Sequence, residues 1–148
     1  MRIALYGNPF DSSKAKYIQH LVHKLEQENI SICIENQFFD FLEEIITFKK
    51  TVSSFDNYEE LKESADVLLS IGGDGTLLNT ITLVRDSGIP VLGINTGRLG
   101  FISSISTDQI DSAINQLLKG NYDIQERTLL QLESENNLFG ETNIALNE

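Results

Sequence analysis

The stretch "LLSIGGDGTLLNTI", residues 68–81, sets Gly72, Gly73, Asp74, Gly75 and Thr76 between two apolar runs. A glycine-rich turn from a buried strand into a helix leaves backbone N–H groups unpaired at the positive end of the helix dipole. It also keeps side chains away from an approaching phosphate. Gly72, Gly73, Gly75 and Thr76 are therefore a candidate phosphate cradle. A carboxylate beside phosphates is repelled by them. Asp74 makes chemical sense there if it accepts a proton from an attacking hydroxyl, orients that hydroxyl, or stands near a metal ion. The pattern is neither a Walker A loop, because no lysine and hydroxyl follow the glycines, nor G-x-G-x-x-G. Phosphoryl transfer is the chemistry suggested. A second reading stays open on spacing alone: Asp-Gly is a common turn pair, and Asp74 or Thr76 simply caps the next helix.

The elements that must hold this turn alternate between strand and helix. "RIALYG" reads as a buried first strand ending at Gly7, after which Ser12 or Ser13 caps a helix with Ile18, Leu21, Val22 and Leu25 on one face. "ISICIE" is a second strand. "QFFDFLEEIITFKK" predicts a second helix with Phe38, Phe41, Leu42, Ile45 and Ile46 inward and Glu43, Glu44, Lys49 and Lys50 outward. "NYEELKESA" is a short helix, and "DVLLSIG" is apolar on both faces, as a central parallel strand should be. "TLLNTITLVRDSG" continues as a helix closed by Gly88, "IPVLGINTG" is another strand, and "STDQIDSAINQLLKG" is a helix capped by Ser106 or Thr107 and stopped at Gly120. The rhythm predicts an α/β fold built on a doubly wound parallel sheet, residues 1–120.

After Gly120 the rhythm changes. "YDIQERTLLQLES" and "GETNIALNE" are strand-like with no helix between them, so residues 121–148 read as the opening strands of a second, β-rich domain. The second run stops in mid-strand at Glu148. We therefore expect a piece of a longer protein, whose strands either pair with another copy or are poorly ordered.

Composition excludes some partners. The 148 residues carry a net charge of −11, so nucleic acid and anionic membranes would be repelled. Any bound anion must be held locally. Cys33 is the single cysteine, which rules out an intrachain disulfide and suits a reducing compartment. The N-terminus turns polar too soon for a signal sequence, and no apolar run approaches the roughly 18 residues of a membrane span. A cytoplasmic protein is expected.

Three motifs in order, "GGDGT" at 72–76, "GINTGRLGF" at 93–101 and "ALNE" at 145–148, resemble the NAD kinase family, and the likeness spans the chain. That resemblance implies a Rossmann-like N-terminal domain followed by a larger β-rich domain, here truncated, with the active site between them. It implies transfer of the terminal phosphate of ATP or inorganic polyphosphate to the 2′-hydroxyl of the adenosine ribose of NAD. Asp74 would be the proton acceptor, and Gly72, Gly73, Gly75 and Thr76 would cradle phosphate. Asp74, Gly75, Leu78, Phe101, Asn147 and Glu148 would contact NAD. A divalent ion, Mg²⁺ by expectation, would arrive with the donor's phosphates, and no metal-ligand set is visible in the sequence. The family further implies a homo-oligomer. Asn95 is a candidate loop-shaping group, while Arg98 stands where members of the family differ and takes no assigned role.

Each of these has a plainer alternative. Phe101 and Leu78 also suit an ordinary core, Asn95 and Thr96 a simple turn with Gly97, and His20 and His23, one turn apart, a helix surface lacking a third metal ligand. Other "GGDGT" kinases, of the diacylglycerol, sphingosine or phosphofructokinase type, share the loop but not the two later motifs. A nucleotide-binding module without catalysis is the alternative from another class. By itself the chain is expected to be inactive.

Overall fold

The strand β1, Arg2–Gly7, runs parallel between β2, Ser31–Glu35, and β4, Val67–Gly72. With β3 (Ser53–Phe55), β5 (Val91–Asn95) and β6 (Ile105–Ser106) they complete a six-stranded parallel sheet of order β3-β2-β1-β4-β5-β6. This is a computed structural model, and it describes residues 1–97, 100–103, 105–133 and 143–146. The chain winds outward from β1 to β3, returns to β4, then winds outward the other way to β6. Successive strands therefore leave β1 and β4 in opposite directions, and the crevice outside their carboxyl ends is where such sheets bind ligands. Gly7 pairs with Ile71 at that edge, one residue before the glycine turn.

Helices α1 (Ala15–Gln27) and α6 (Ile110–Leu118) cover one face of the sheet. Ile18, Leu21, Val22, Leu25, Ile110, Ile114 and Leu117 pack there on Ile3, Leu5, Leu69 and Ile71, joined by Phe38 and Leu42 of α2 (Asn36–Glu43). On the other face Leu61 of α3 (Tyr58–Ser64) and Leu83 and Val84 of α5 (Ile81–Val84) pack on Ala4, Cys33, Phe55 and Leu68. The even and odd residues of β4 thus serve opposite faces, which is why its sequence shows no alternation.

Several local expectations are corrected by competing side chains. The second helix stops at Glu43 instead of reaching Lys50, because α1 captures the following backbone. The Gln19 amide bonds both the N–H and the C=O of Thr47 at 2.8 Å, and Glu26 Oε1 accepts the N–H groups of Lys49 and Lys50 at 2.7 and 3.0 Å. Asp11, not Ser12 or Ser13, caps the turn into α1 by accepting the Ser13 N–H. The helix after the glycine turn is broken into α4, Asp74–Asn79, and α5. The hydroxyls of Thr80 and Thr82 bond back to the carbonyls of Leu77 and Asn79, offering the backbone a rival to helical pairing. That helix ends at Arg85, whose φ is 42°, three residues ahead of Gly88.

Other signals hold. Ser106 and Gln109 form a capping box, and Gly120, with φ of 69°, closes α6 as its N–H bonds to Leu117 O while Asn121 N–H bonds to Gln116 O. The later strands pair with each other. β7 (Leu129–Gln131) and β8 (Ile144–Leu146) form a two-stranded antiparallel ladder with Leu129 opposite Leu146.

Candidate active site

The turn from β4 to α4 divides the glycines by purpose. A Cβ on Gly72 would fall 2.2 Å from Thr76 Oγ1, so Gly72 is small because Thr76 packs onto it. Thr76 is buried, and its hydroxyl lies 3.4 Å from Asn8 Nδ2 at the end of β1. The Gly72 carbonyl accepts the Thr96 N–H, tying the ends of β4 and β5 together. At Gly73, in an extended conformation, and at Gly75, a Cβ would meet nothing within 4 Å. These two residues are the part of the turn left open to an incoming group, at the start of a helix whose first N–H groups have no partner within it.

Asp74, the first residue of α4, turns its carboxylate toward the loop that follows β5. Its Oδ2 accepts the Phe101 N–H at 2.8 Å, and its Oδ1 accepts those of Ile102 and Ser103 at 3.2 and 2.9 Å. These bonds favour the ionised form and hold Asp74 below the usual carboxylate range, the Ser103 N–H contributing most and the Phe101 N–H next. Gly100 makes the approach possible. A Cβ there would sit 2.1 Å from Asp74 Oδ1. The far end of the loop is held by Asn95, which is buried at the end of β5, accepts the Gly97 N–H at 2.8 Å and donates to the Ser103 carbonyl at 3.4 Å.

The structure therefore brings "GGDGT" and the end of "GINTGRLGF" into direct contact. Leu78 lies half-buried on α4, while its neighbour Leu77 fills the space left by Gly93. Phe101 presents its N–H to Asp74 and its ring stands fully exposed, not in the core. Arg98, Asn147 and Glu148 lie outside the described residues. The backbone donors of residues 101–103 are what reading side chains missed, and the trace they leave in the sequence is Gly100 just ahead of Phe101.

Two further features lie apart from this contact. A cleft of about 260 Å³ opens beside Tyr6, Asn8, Glu35 and Thr82, at the carboxyl ends of β1 and β2. Burial pushes the Tyr6 hydroxyl up from its ordinary pKa, opposed by its hydrogen bond with Asn79. On α1, His20 Nε2 lies 2.8 Å from Asp111 Oδ1 of α6. Among the described residues no three His, Cys, Asp or Glu side chains converge to hold a metal ion. Cys33 is buried, and that burial raises its thiol pKa.

A doubly wound sheet whose glycine turn and carboxylate stand at its switch point belongs to the class of nucleotide-handling α/β domains. Comparison with known proteins narrows that class. The family model for the ATP-NAD kinase N-terminal domain matches residues 3–122. The chain is 40% identical to an NAD kinase of Cytophaga hutchinsonii, over 100% of its own length and 51% of that protein. It is 36% identical to an NAD kinase of Bacteroides fragilis, over 100% of its length and 50% of the relative. Among solved structures, yeast NADH kinase complexed with NADH superposes with a TM-score of 0.75 at 14% identity, covering 99% of this chain and 45% of that one. An NAD kinase from Archaeoglobus fulgidus in complex with ATP gives 0.60 at 19%, covering 88% and 42%. The chain belongs to the NAD kinase family. It spans about half the length of the curated relatives it matches.

Proposed function

We propose that the protein to which this chain belongs is an NAD kinase, moving the terminal phosphate of ATP or polyphosphate to the 2′-hydroxyl of the adenosine ribose of NAD. The observation carrying this reading is the place of Asp74, a partly exposed carboxylate at the sheet's switch point beside the open Gly73 and Gly75. The acceptor oxygen bonds to phosphorus, the donor's terminal P–O bond breaks, and the shortened donor leaves. The hydroxyl proton becomes acidic as its oxygen bonds to phosphorus, so a carboxylate of low proton affinity can take it late and pass it to solvent. A divalent ion such as Mg²⁺ would come with the donor's phosphates and would neutralise part of their charge.

Within the same reading, Gly73 and Gly75 admit the phosphates, with Gly72 and Thr76 shaping the turn behind them. Leu78, Phe101, Asn147 and Glu148 are assigned to NAD. We divide the chain at residue 120, assign residues 121–148 to a second domain, and take the working protein to be a cytoplasmic homo-oligomer. The likeness to proteins solved with NADH and with ATP supports the substrates. The test is NADP formation by the protein at the length of its relatives, wild type against Asp74→Ala. Loss of turnover in the variant is expected, and wild-type turnover in it would remove Asp74 from the chemistry. The 148-residue chain by itself is expected to form no NADP.

A further inference from the structure

We propose that Gly100 and the backbone amides of Phe101, Ile102 and Ser103 are the element that positions Asp74, leaving one acceptor site on its carboxylate for the attacking hydroxyl. The inference rests on the phosphoryl-transfer reading for its chemical meaning, and on geometry for its substance. An ionised carboxylate offers about four acceptor positions, two on each oxygen. Ile102 and Ser103 fill both on Oδ1, and Phe101 fills one on Oδ2. Among the described residues nothing fills the remaining Oδ2 position, which is open to a donor hydroxyl, so the loop fixes both where the carboxylate sits and the direction from which it can be reached.

Gly100 is the residue that lets the carboxylate approach. Its φ lies outside the left-handed region, so the backbone is not one that demands glycine, and the three atoms nearest a built Cβ, at 2.1–2.5 Å, all belong to the Asp74 carboxylate. Alanine at this position displaces a side-chain end and leaves the main chain unstrained. The loop is independently anchored, since Asn95 holds the Ser103 carbonyl and the Gly97 N–H. A moved Asp74 would therefore lose its donors without carrying the loop along. The arrangement separates two roles: Asp74 meets substrate, and Gly100 acts through Asp74.

The test has two arms. In the 148-residue chain, carboxyl ¹³C and amide ¹H shifts are followed against pH for wild type and Gly100→Ala. In wild type the three amide protons move together with the Asp74 titration, at a midpoint below the usual carboxylate range. In Gly100→Ala the midpoint rises and the coupled movement is lost. A folded Gly100→Ala protein with an unchanged Asp74 titration would overturn the proposal. If that variant fails to fold, Asp74→Asn takes its place, because an amide NH₂ cannot accept from an N–H. Faster hydrogen exchange at residues 101–103 is then expected, and unaltered exchange would overturn the idea.

The second arm measures NAD phosphorylation in the protein at the length of its relatives. Gly100→Ala should lower kcat on the order of 100-fold, the scale of a misplacement of about 1 Å, with KM for the donor held and the acid limb of the kcat profile moved to higher pH. A loss of kcat with the pH profile unmoved would make Gly100 merely structural and would also overturn the proposal. Absence of NADP formation by wild type would defeat the NAD kinase reading, while the shift titration still judges the cradle.

Discussion

Asn95 and Ser103, eight residues apart, are joined by a hydrogen bond of 3.4 Å from the Asn95 side chain to the Ser103 carbonyl, deep enough that both residues are buried. The same side chain accepts the Gly97 N–H at 2.8 Å. It thus braces the loop that holds Asp74 from the sheet side. Removing the amide in Asn95→Ala leaves a buried carbonyl and an N–H without this partner, each costing the desolvation that pairing had offset. We expect a loss of about 1–3 kcal/mol in urea unfolding, with faster hydrogen exchange confined to residues 97–103. Equal acceleration throughout the sheet would argue that Asn95 supports the fold as a whole.

Gly7 tests the packing of the switch-point edge. A Cβ there would fall 2.6 Å from Phe38 Cζ and 2.9 Å from the Ile71 carbonyl oxygen. Phe38 is fully buried and Ile71 O belongs to the sheet, so neither can yield cheaply. Gly7→Ala should cost about 1–3 kcal/mol by overpacking. A urea midpoint matching wild type would show that Phe38 can repack.

Acid dependence should be visible at one surface fork. Arg2 Nη2 lies 2.7 Å from Asp66 Oδ1, and the Arg2 N–H donates to Asp66 Oδ2 at 2.7 Å. The Arg2 side chain chiefly, and then its N–H, lower the Asp66 pKa from its ordinary value. A depressed folded pKa means stabilisation that is present above the ordinary value near pH 4 and lost as pH falls through the folded value. Both side chains are about half-exposed, so screening keeps the pair within roughly 0–1 kcal/mol. Asp66→Asn should therefore be less stable than wild type by at most that amount at pH 7, with the gap shrinking steadily below about pH 4. A gap that grows in acid would contradict the assignment.

The sheet was legible because β1, β4 and β5 are short apolar runs closed by Gly7, Gly72 and Asn95, and the helices beside them carry their apolar residues at helical spacing. β3 was not, since "SSF" has no strand pattern; it forms because β2 offers an edge and Phe55 a buried anchor. The end of α2 was hidden for a similar reason, as Gln19 and Glu26 act across more than twenty residues of sequence. At the site, the turn was readable from its glycines. The partners of Asp74 were not, because backbone N–H groups leave no mark of residue type, and only Gly100 betrays that something must come close.

The two kinds of glycine in the turn can be separated by stability and binding measured together. Gly75 lies in the first turn of α4 with no atom within 4 Å of a built Cβ and no positive φ, so alanine fits there without strain. Alanine also loses less backbone freedom than glycine on entering a helix, and Gly75→Ala should stabilise the chain by about 0.5–1 kcal/mol. If the open space is where donor phosphates enter, the same methyl group should weaken binding of magnesium pyrophosphate, measured by calorimetry on the protein at the length of its relatives. Gly72→Ala should behave in the opposite way to Gly75→Ala in stability. Its Cβ would collide with the buried Thr76, so a loss of about 1–3 kcal/mol is expected from overpacking. Stability gained at Gly75 together with undiminished pyrophosphate binding would leave Gly75 as a plain helix residue and move the phosphate site away from this turn.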